Sequence, residues 1–143
     1  MKIYVAYKHL GEDEARLKMI LEDVAEEIRQ LGHESFIYLR DIQKWGEVTH
    51  NLTPRQLILK AFEQLNRCDA ILVIVDCSEK SEGMLLEIGY AKALGKKILL
   101  AVDKSLDENC LRFVRGIADC TIEFNEVSDL KDQIKSNLRK ILN

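Results

Sequence analysis

The run Asp69-Ala70-Ile71-Leu72-Val73-Ile74-Val75-Asp76 constrains this chain more than any other stretch. It is short, apolar and rich in β-branched residues, which reads as a buried strand over 69–76. Residues 2–7 (KIYVAY) are likewise apolar on both faces, as suits a central parallel strand, and 34–39 (ESFIYL), 96–102 (KKILLAV) and 119–124 (DCTIEF) add three more. Stretches of helical period separate them. Leu17, Ile20, Leu21, Val24, Ile28 and Leu31 mark a helix from about residue 12, which Gly32 is placed to stop. Thr53-Pro54 forms an N-cap and first-turn proline ahead of Leu57, Ile58, Ala61, Phe62 and Leu65. Further helices are expected over 82–94, near 108–116, and over 127–142, the last with Val127, Leu130, Ile134, Leu138 and Ile141 as its stripe. Residues 40–53 show no period and read as a long loop.

Five β-α units imply a flavodoxin-like three-layer α/β/α fold, with a five-stranded parallel sheet in the order 2-1-3-4-5. Ligands of such sheets sit beyond the C-terminal strand ends where the order reverses, here between strands 1 and 3. That directs attention to loops 7–12 and 76–83, with 39–53 as a cover. The 143 residues fit one domain spanning 1–143, and 47% apolar residues can fill its core.

Charge and composition remove several function classes. A formal net charge of -3 argues against binding a nucleic-acid polymer. No run of about 18 apolar residues exists to span a membrane, and the opening MKIYVAYKHL has strand character, without the apolar core of a signal peptide. Cys68, Cys77, Cys110 and Cys120 match no zinc spacing and are expected as reduced thiols in or near the core of a cytoplasmic protein. His9, His33 and His50 are scattered, so neither a metal nor a cofactor is expected.

The segment 76–96 carries the chemistry. Ser81 is an N-cap, Gly83 lets a ligand approach the backbone, and the free N–H groups of the following helix suit an anion; alternatively Ser81 only caps. Met84, Ile88 and Ala91 mark the sheet-facing side of that helix, and Glu87 falls on or beside it. A carboxylate there is costly unless paired or used, so Glu87 either meets a basic neighbour or serves a ligand. Tyr4 on strand 1 reaches the switch point or stays in the core. Lys8 and His9 greet a phosphate or are ordinary loop residues. Trp45 stacks on a base or anchors the long loop. Gly89 and Ala93 offer a small strip for close packing.

These residues resemble a known family. Asp69-Ala70-Ile71-Leu72-Val73, the loop with Ser81 and Gly83, and Glu87-Ile88-Gly89-Tyr90-Ala91-Lys92-Ala93-Leu94-Gly95-Lys96 are similar to the nucleoside 2-deoxyribosyltransferases, which include 2'-deoxynucleoside 5'-phosphate N-hydrolases. The opening Lys2-Ile3-Tyr4-Val5-Ala6 fits as well, and the likeness covers about residues 1–102. The resemblance implies that Glu87 attacks C1' of the sugar and expels the base. It implies that Tyr4 orients the glutamate or the sugar. Ser81, where the transferases carry aspartate, implies a nucleoside 5'-monophosphate held by Ser81 and Gly83. It further implies a homodimer or higher homo-oligomer, with pockets completed by a neighbour.

Two departures stand out. Ala61 occupies the place of a family aspartate that handles sugar and leaving base, with Asp41 and Glu63 as possible substitutes. Tyr7-Lys8-His9-Leu10-Gly11 is bulkier and more basic than the hydrolases' phosphate loop. Ile3-Tyr4-Val5-Ala6-Tyr7, Glu12-Asp13 and Asp41 to Gly46 also resemble TIR domains, some of which cleave NAD. The readings are therefore an N-glycosidase or deoxyribosyl transferase, a nucleotide-binding or signalling module without turnover, and a TIR-like NAD glycohydrolase.

Overall fold

The computed structural model describes residues 1–8, 13–47 and 51–142; the expected loop residue His9 lies outside them. Five parallel strands form one sheet: β1 (Lys2–Tyr7), β2 (Glu34–Ile37), β3 (Ala70–Val75), β4 (Lys97–Asp103) and β5 (Cys120–Phe124). Their order is β2-β1-β3-β4-β5, as the sequence predicts. The helices are α1 (Glu14–Gln30), α2 (Tyr38–Asp41), α3 (Pro54–Asn66), α4 (Glu82–Ala93), α5 (Arg112–Ile117) and α6 (Val127–Leu142).

The sheet separates two cores. On one face Ile3, Val5, Leu72, Leu99 and Phe124 pack against Leu17, Ile20 and Ile28 of α1 and Ile134 and Leu138 of α6. On the other, Tyr4, Ala6, Ile71, Val73 and Leu100 pack against Ala61 and Leu65 of α3, Met84 and Ile88 of α4, and Val114 of α5. Alternation along each strand produces this division, since neighbouring side chains point to opposite faces. All six residues of β3 are buried, which explains why that run carried the strongest sequence signal.

Two aspartates set the register where strands begin. Asp69 donates its N–H to the Lys2 carbonyl and accepts the Lys2 N–H on its carboxylate, both at 2.7 Å. Asp119 does the same to Ile98, at 2.9 and 2.8 Å. Reciprocal bonds of this kind leave little room for a slip of one residue, which would reverse every side chain.

The segment after β2 differs from expectation. The strand stops at Ile37 rather than continuing to residue 39, because Tyr38–Asp41 turn into the short helix α2. The Asp41 carboxylate accepts the Ile37 N–H at 2.8 Å, which bends the chain out of the sheet. A 3₁₀ turn follows at Lys44–Gly46, where Lys44, Trp45 and Gly46 have φ of 48°, 55° and 87°. At its far end the loop expected over 40–53 enters α3 through Thr53, whose side chain and Gln56 form a reciprocal capping box.

Gly89 also departs from the expected strip of close packing: a Cβ there would meet nothing within 4 Å. The four cysteines are free thiols, Cys68 buried and the others partly so. No helix among the described residues is long and apolar enough to cross a membrane.

Ile134 is fully buried beneath α6, on the face of the sheet opposite α3 and α4. Ile134→Ala should lower unfolding free energy by about 2–5 kcal/mol in urea titrations. Because Ile134 lies across the sheet, affinity for any ligand bound against α3 and α4 should not change.

Candidate active site

A cavity of about 560 Å³ opens between the C-terminal half of β1, the start of α2, α3 and the N-terminal half of α4. Its size suits a small organic ligand. It lies at the predicted reversal of strand order, on the α3/α4 side of the sheet. Tyr4, Tyr38, Gln43, Arg55, Ala61, Ser81, Gly83 and Glu87 are among its walls.

Glu87 is its chemical centre. It follows Met84 by one turn and sits beside the sheet-facing residues Met84, Ile88 and Ala91. Tyr4, 1% exposed, rises from the sheet and donates its hydroxyl to Glu87 Oε1 at 2.7 Å. Burial pushes the Glu87 carboxyl up to about 7, although the Tyr4 hydrogen bond pulls the other way. Burial, followed by the Glu87 charge, raises the Tyr4 phenol well above its ordinary range, so Tyr4 stays neutral and donates. Tyr4 is thus both a core residue and part of the cavity wall. Its ring lies 5.2 Å from that of Phe36, its register partner on β2, which fixes where the hydroxyl points.

The N-terminus of α4 forms one end of the cavity. Ser81 caps it by accepting the Met84 N–H at 3.3 Å. Gly83 is the second helical residue, and its φ is not in the left-handed region. A Cβ at Gly83 would meet no protein atom within 4 Å, so neither backbone conformation nor packing requires glycine there. The open space adjoins the cavity, where a ligand can approach the backbone closely. Arg55, in the first turn of α3, lines the same cavity and makes no hydrogen bond or ion pair with another described residue.

Other expected residues are placed elsewhere. Lys8 extends to Glu79 and to within 3.9 Å of Cys77 Sγ, and it is not part of the cavity wall. Trp45 packs against the α1/α6 core with Lys18 Nζ 5.6 Å from its ring, which is the anchoring role rather than the stacking one. Asp41 is committed to Ile37 and to Arg40 at 2.8 Å. Although burial disfavours its charge, those partners hold its carboxyl below the usual range. Glu63 is exposed and paired with Arg67 at 2.6 Å. Neither acid lines the cavity, whereas Ala61 does. The wall where the family aspartate was expected is therefore apolar, formed by Ile58 and Ala61.

Tyr38, Gln43 and Arg55 were not singled out from sequence. Tyr38 had one available signal. Phe36 pairs with Tyr4 in register, and a period of two places Tyr38 on the same face, one step past the end of β2.

Residues 3–129 match the family model described as nucleoside 2-deoxyribosyltransferase. The chain belongs to that family. With it the chain joins the enzymes of N-glycosidic bond cleavage and deoxyribosyl transfer. No curated protein matches at the level of sequence. Among solved structures, the CMP N-glycosidase BcmB of Clostridium botulinum is 18% identical, with a TM-score of 0.71 over 96% of this chain and 100% of that one. The 2-deoxyribosyltransferase of Bacillus psychrosaccharolyticus is 23% identical, with a TM-score of 0.68 over 96% of each chain. A conserved protein of Enterococcus faecalis is 16% identical, with a TM-score of 0.71 over 96% and 99%. These likenesses establish the shared deoxyribosyltransferase fold.

The raised Glu87 carboxyl has a sign that can be tested in the free protein. Between the ordinary value of 4.5 and about 7 the folded chain holds a proton that the unfolded chain has released. This group's contribution to stability is therefore full below 4.5 and is lost as pH rises through about 7. Glu87→Gln stays neutral at every pH. It should be more stable than the native protein at pH 8, by on the order of 2 kcal/mol, with the gap closing toward pH 5. Thermal unfolding of both proteins across that range checks the slope.

Proposed function

We propose that the chain cleaves or transfers across the N-glycosidic bond of a nucleoside 5'-monophosphate, with Glu87 as nucleophile. The observation that carries this reading is the Tyr4–Glu87 pair at 2.7 Å in the wall of a nucleotide-sized cavity. Tyr4 occupies Oε1 and leaves Oε2 for the sugar. In the first step Oε2 bonds to C1' as the C1'–N bond breaks, and the base departs with the bonding electrons. In the second, water or an acceptor base bonds to C1' as the C1'–Oε2 bond breaks, which restores the carboxylate, and the proton that the attacking group loses balances the one taken up by the departed base. The hydrogen bond from neutral Tyr4 favours the ionised carboxylate that the attack requires.

Support for a 5'-phosphate comes from the other end of the cavity. Gly83 provides open space beside the first turn of α4, whose positive dipole end favours an anion. Arg55, which makes no hydrogen bond or ion pair with another described residue, provides a cation in the cavity wall. Ser81 caps the helix and stands where its hydroxyl can also meet a phosphate oxygen. With Ala61 in place of an aspartate, no carboxylate on the α3 wall handles the leaving base, which sets this site apart from the family pattern.

We also propose a homodimer formed through the outer surfaces of α3 and α4. Leu57, Leu59, Leu86 and Leu94 are 37%, 48%, 49% and 39% exposed there. Leu57 and Leu86 also line the cavity, so a second copy on this face would complete its mouth. The exposed Gly89, with open space around it, permits close approach of another helix.

Chromatography of free base after incubation with ribo- and deoxyribonucleoside 5'-monophosphates tests the chemistry. Glu87→Ala should reduce release by at least about a thousandfold. Because the free carboxylate is the nucleophile, kcat/KM should rise with pH through about 7. Full activity in Glu87→Ala would sink the assignment, and nucleotide binding without release by the native protein would mean the cavity binds but does not turn over. For the assembly, sedimentation velocity should show a dimer that Leu86→Arg converts to monomer; a monomeric native protein would exclude the proposed interface.

A further inference from the structure

Tyr4 and Tyr38 both line the cavity with Glu87, and the circumstances of their hydroxyls differ. The Tyr4 hydroxyl is committed to Glu87 Oε1. The Tyr38 hydroxyl is buried and has no hydrogen-bond partner among the described residues. Tyr38 opens α2, immediately beyond β2, and its ring packs with the core on the α3/α4 face. It lines the cavity, and its phenol lies close enough to Glu87 to feel that carboxylate's charge.

A buried hydroxyl without a partner lowers the stability of the free protein, whereas phenylalanine would fill the same space without that penalty. No described residue accounts for the hydroxyl, and its ring lines a cavity that a ligand can fill. Burial, and then the charge of Glu87, raises the Tyr38 phenol above its ordinary value, so it is neutral near pH 7 and available as a donor.

We infer that Tyr38 is a ligand-contacting residue, whose hydroxyl donates to an acceptor on the bound nucleoside next to the carbon that Glu87 attacks. The acceptors within reach of that carbon are the ring oxygen, a 2'-hydroxyl and the polar edge of the base. This deepens the function proposed above and rests on its placement of the nucleoside in the cavity.

The test separates stability, binding and turnover. Tyr38→Phe in the otherwise native protein should show an unchanged or raised midpoint of thermal unfolding. A clear drop would reveal a structural partner for the hydroxyl and overturn the inference. Affinities are then measured by calorimetry for CMP and dCMP, in Glu87→Gln with and without Tyr38→Phe, so that turnover does not interfere. Removing the hydroxyl should weaken binding of at least one nucleotide about tenfold. A loss confined to CMP places the acceptor at the 2'-hydroxyl; an equal loss for both places it on the base or ring oxygen. Equal affinities with and without the hydroxyl would overturn the role of Tyr38. Base release unaffected by Glu87→Gln would instead overturn the nucleophile assignment alone. If the Glu87→Gln protein binds neither nucleotide, both readings fall.

Discussion

A carboxyl carried beside the sheet-facing side of α4 must give up much of its water, and among the described residues the hydroxyl of Tyr4 is the one group hydrogen-bonded to it. The rest of the site depends on this contact. Tyr4 can supply it because β1 is central in the sheet, with β2 and β3 on either side, so the tyrosine sits between Phe36 and Ile71 in fixed register. A flexible donor would have to be ordered each time; this one is ordered by the core. The carboxyl consequently titrates near pH 7, poised between a protonated form that the fold prefers and an ionised form that the proposed chemistry needs. That tension between stability and function is common where a reactive group is built into a packed interior.

The cavity gathers distinct surfaces. β1 contributes Tyr4, the turn after β2 contributes Tyr38, α3 contributes Ala61 and Arg55, and α4 contributes its first turn and Glu87. Their convergence follows from topology. The order reverses at β1 and β3, so the connections leaving these strands diverge and open a crevice between them. The apolar wall of Ile58 and Ala61, the anion-favouring end at Gly83 and the acidic centre at Glu87 divide the cavity into regions of different chemistry.

Much of this was legible in the sequence because strands and helices announce themselves by period. β3, buried along its whole length, and α6, with its apolar stripe, were read to within a residue or two. Glu87 was found because a charge beside Met84, Ile88 and Ala91 violates the expected pattern. The segment after β2 was less transparent. Tyr38 and Leu39 have strand propensity, yet the Asp41 carboxylate captures the Ile37 N–H and diverts the backbone into α2. Trp45 and Lys8 were ambiguous because propensity says nothing of which face a loop side chain will choose. Their places follow from Lys18 and Glu79, residues distant in sequence. Tyr38 and Arg55 do not stand out in the sequence, since an aromatic at a strand end and a cation in a first helical turn are ordinary features until the cavity brings them together.

The division of the interior by the sheet has a consequence for how the protein can change. The apolar reserve under α1 and α6 is built from Leu17, Ile20, Leu21, Val24, Ile28, Ile134 and Leu138, none of which touches the cavity. Substitutions there adjust how firmly the domain holds together while leaving the wall of the crevice as it is. Substitutions under α3 and α4 alter ligand fit with part of the cohesion held safely on the far side. Robustness and specificity thus reside in separate layers, and a lineage carrying this architecture can explore new substrates on one face while the other keeps it folded.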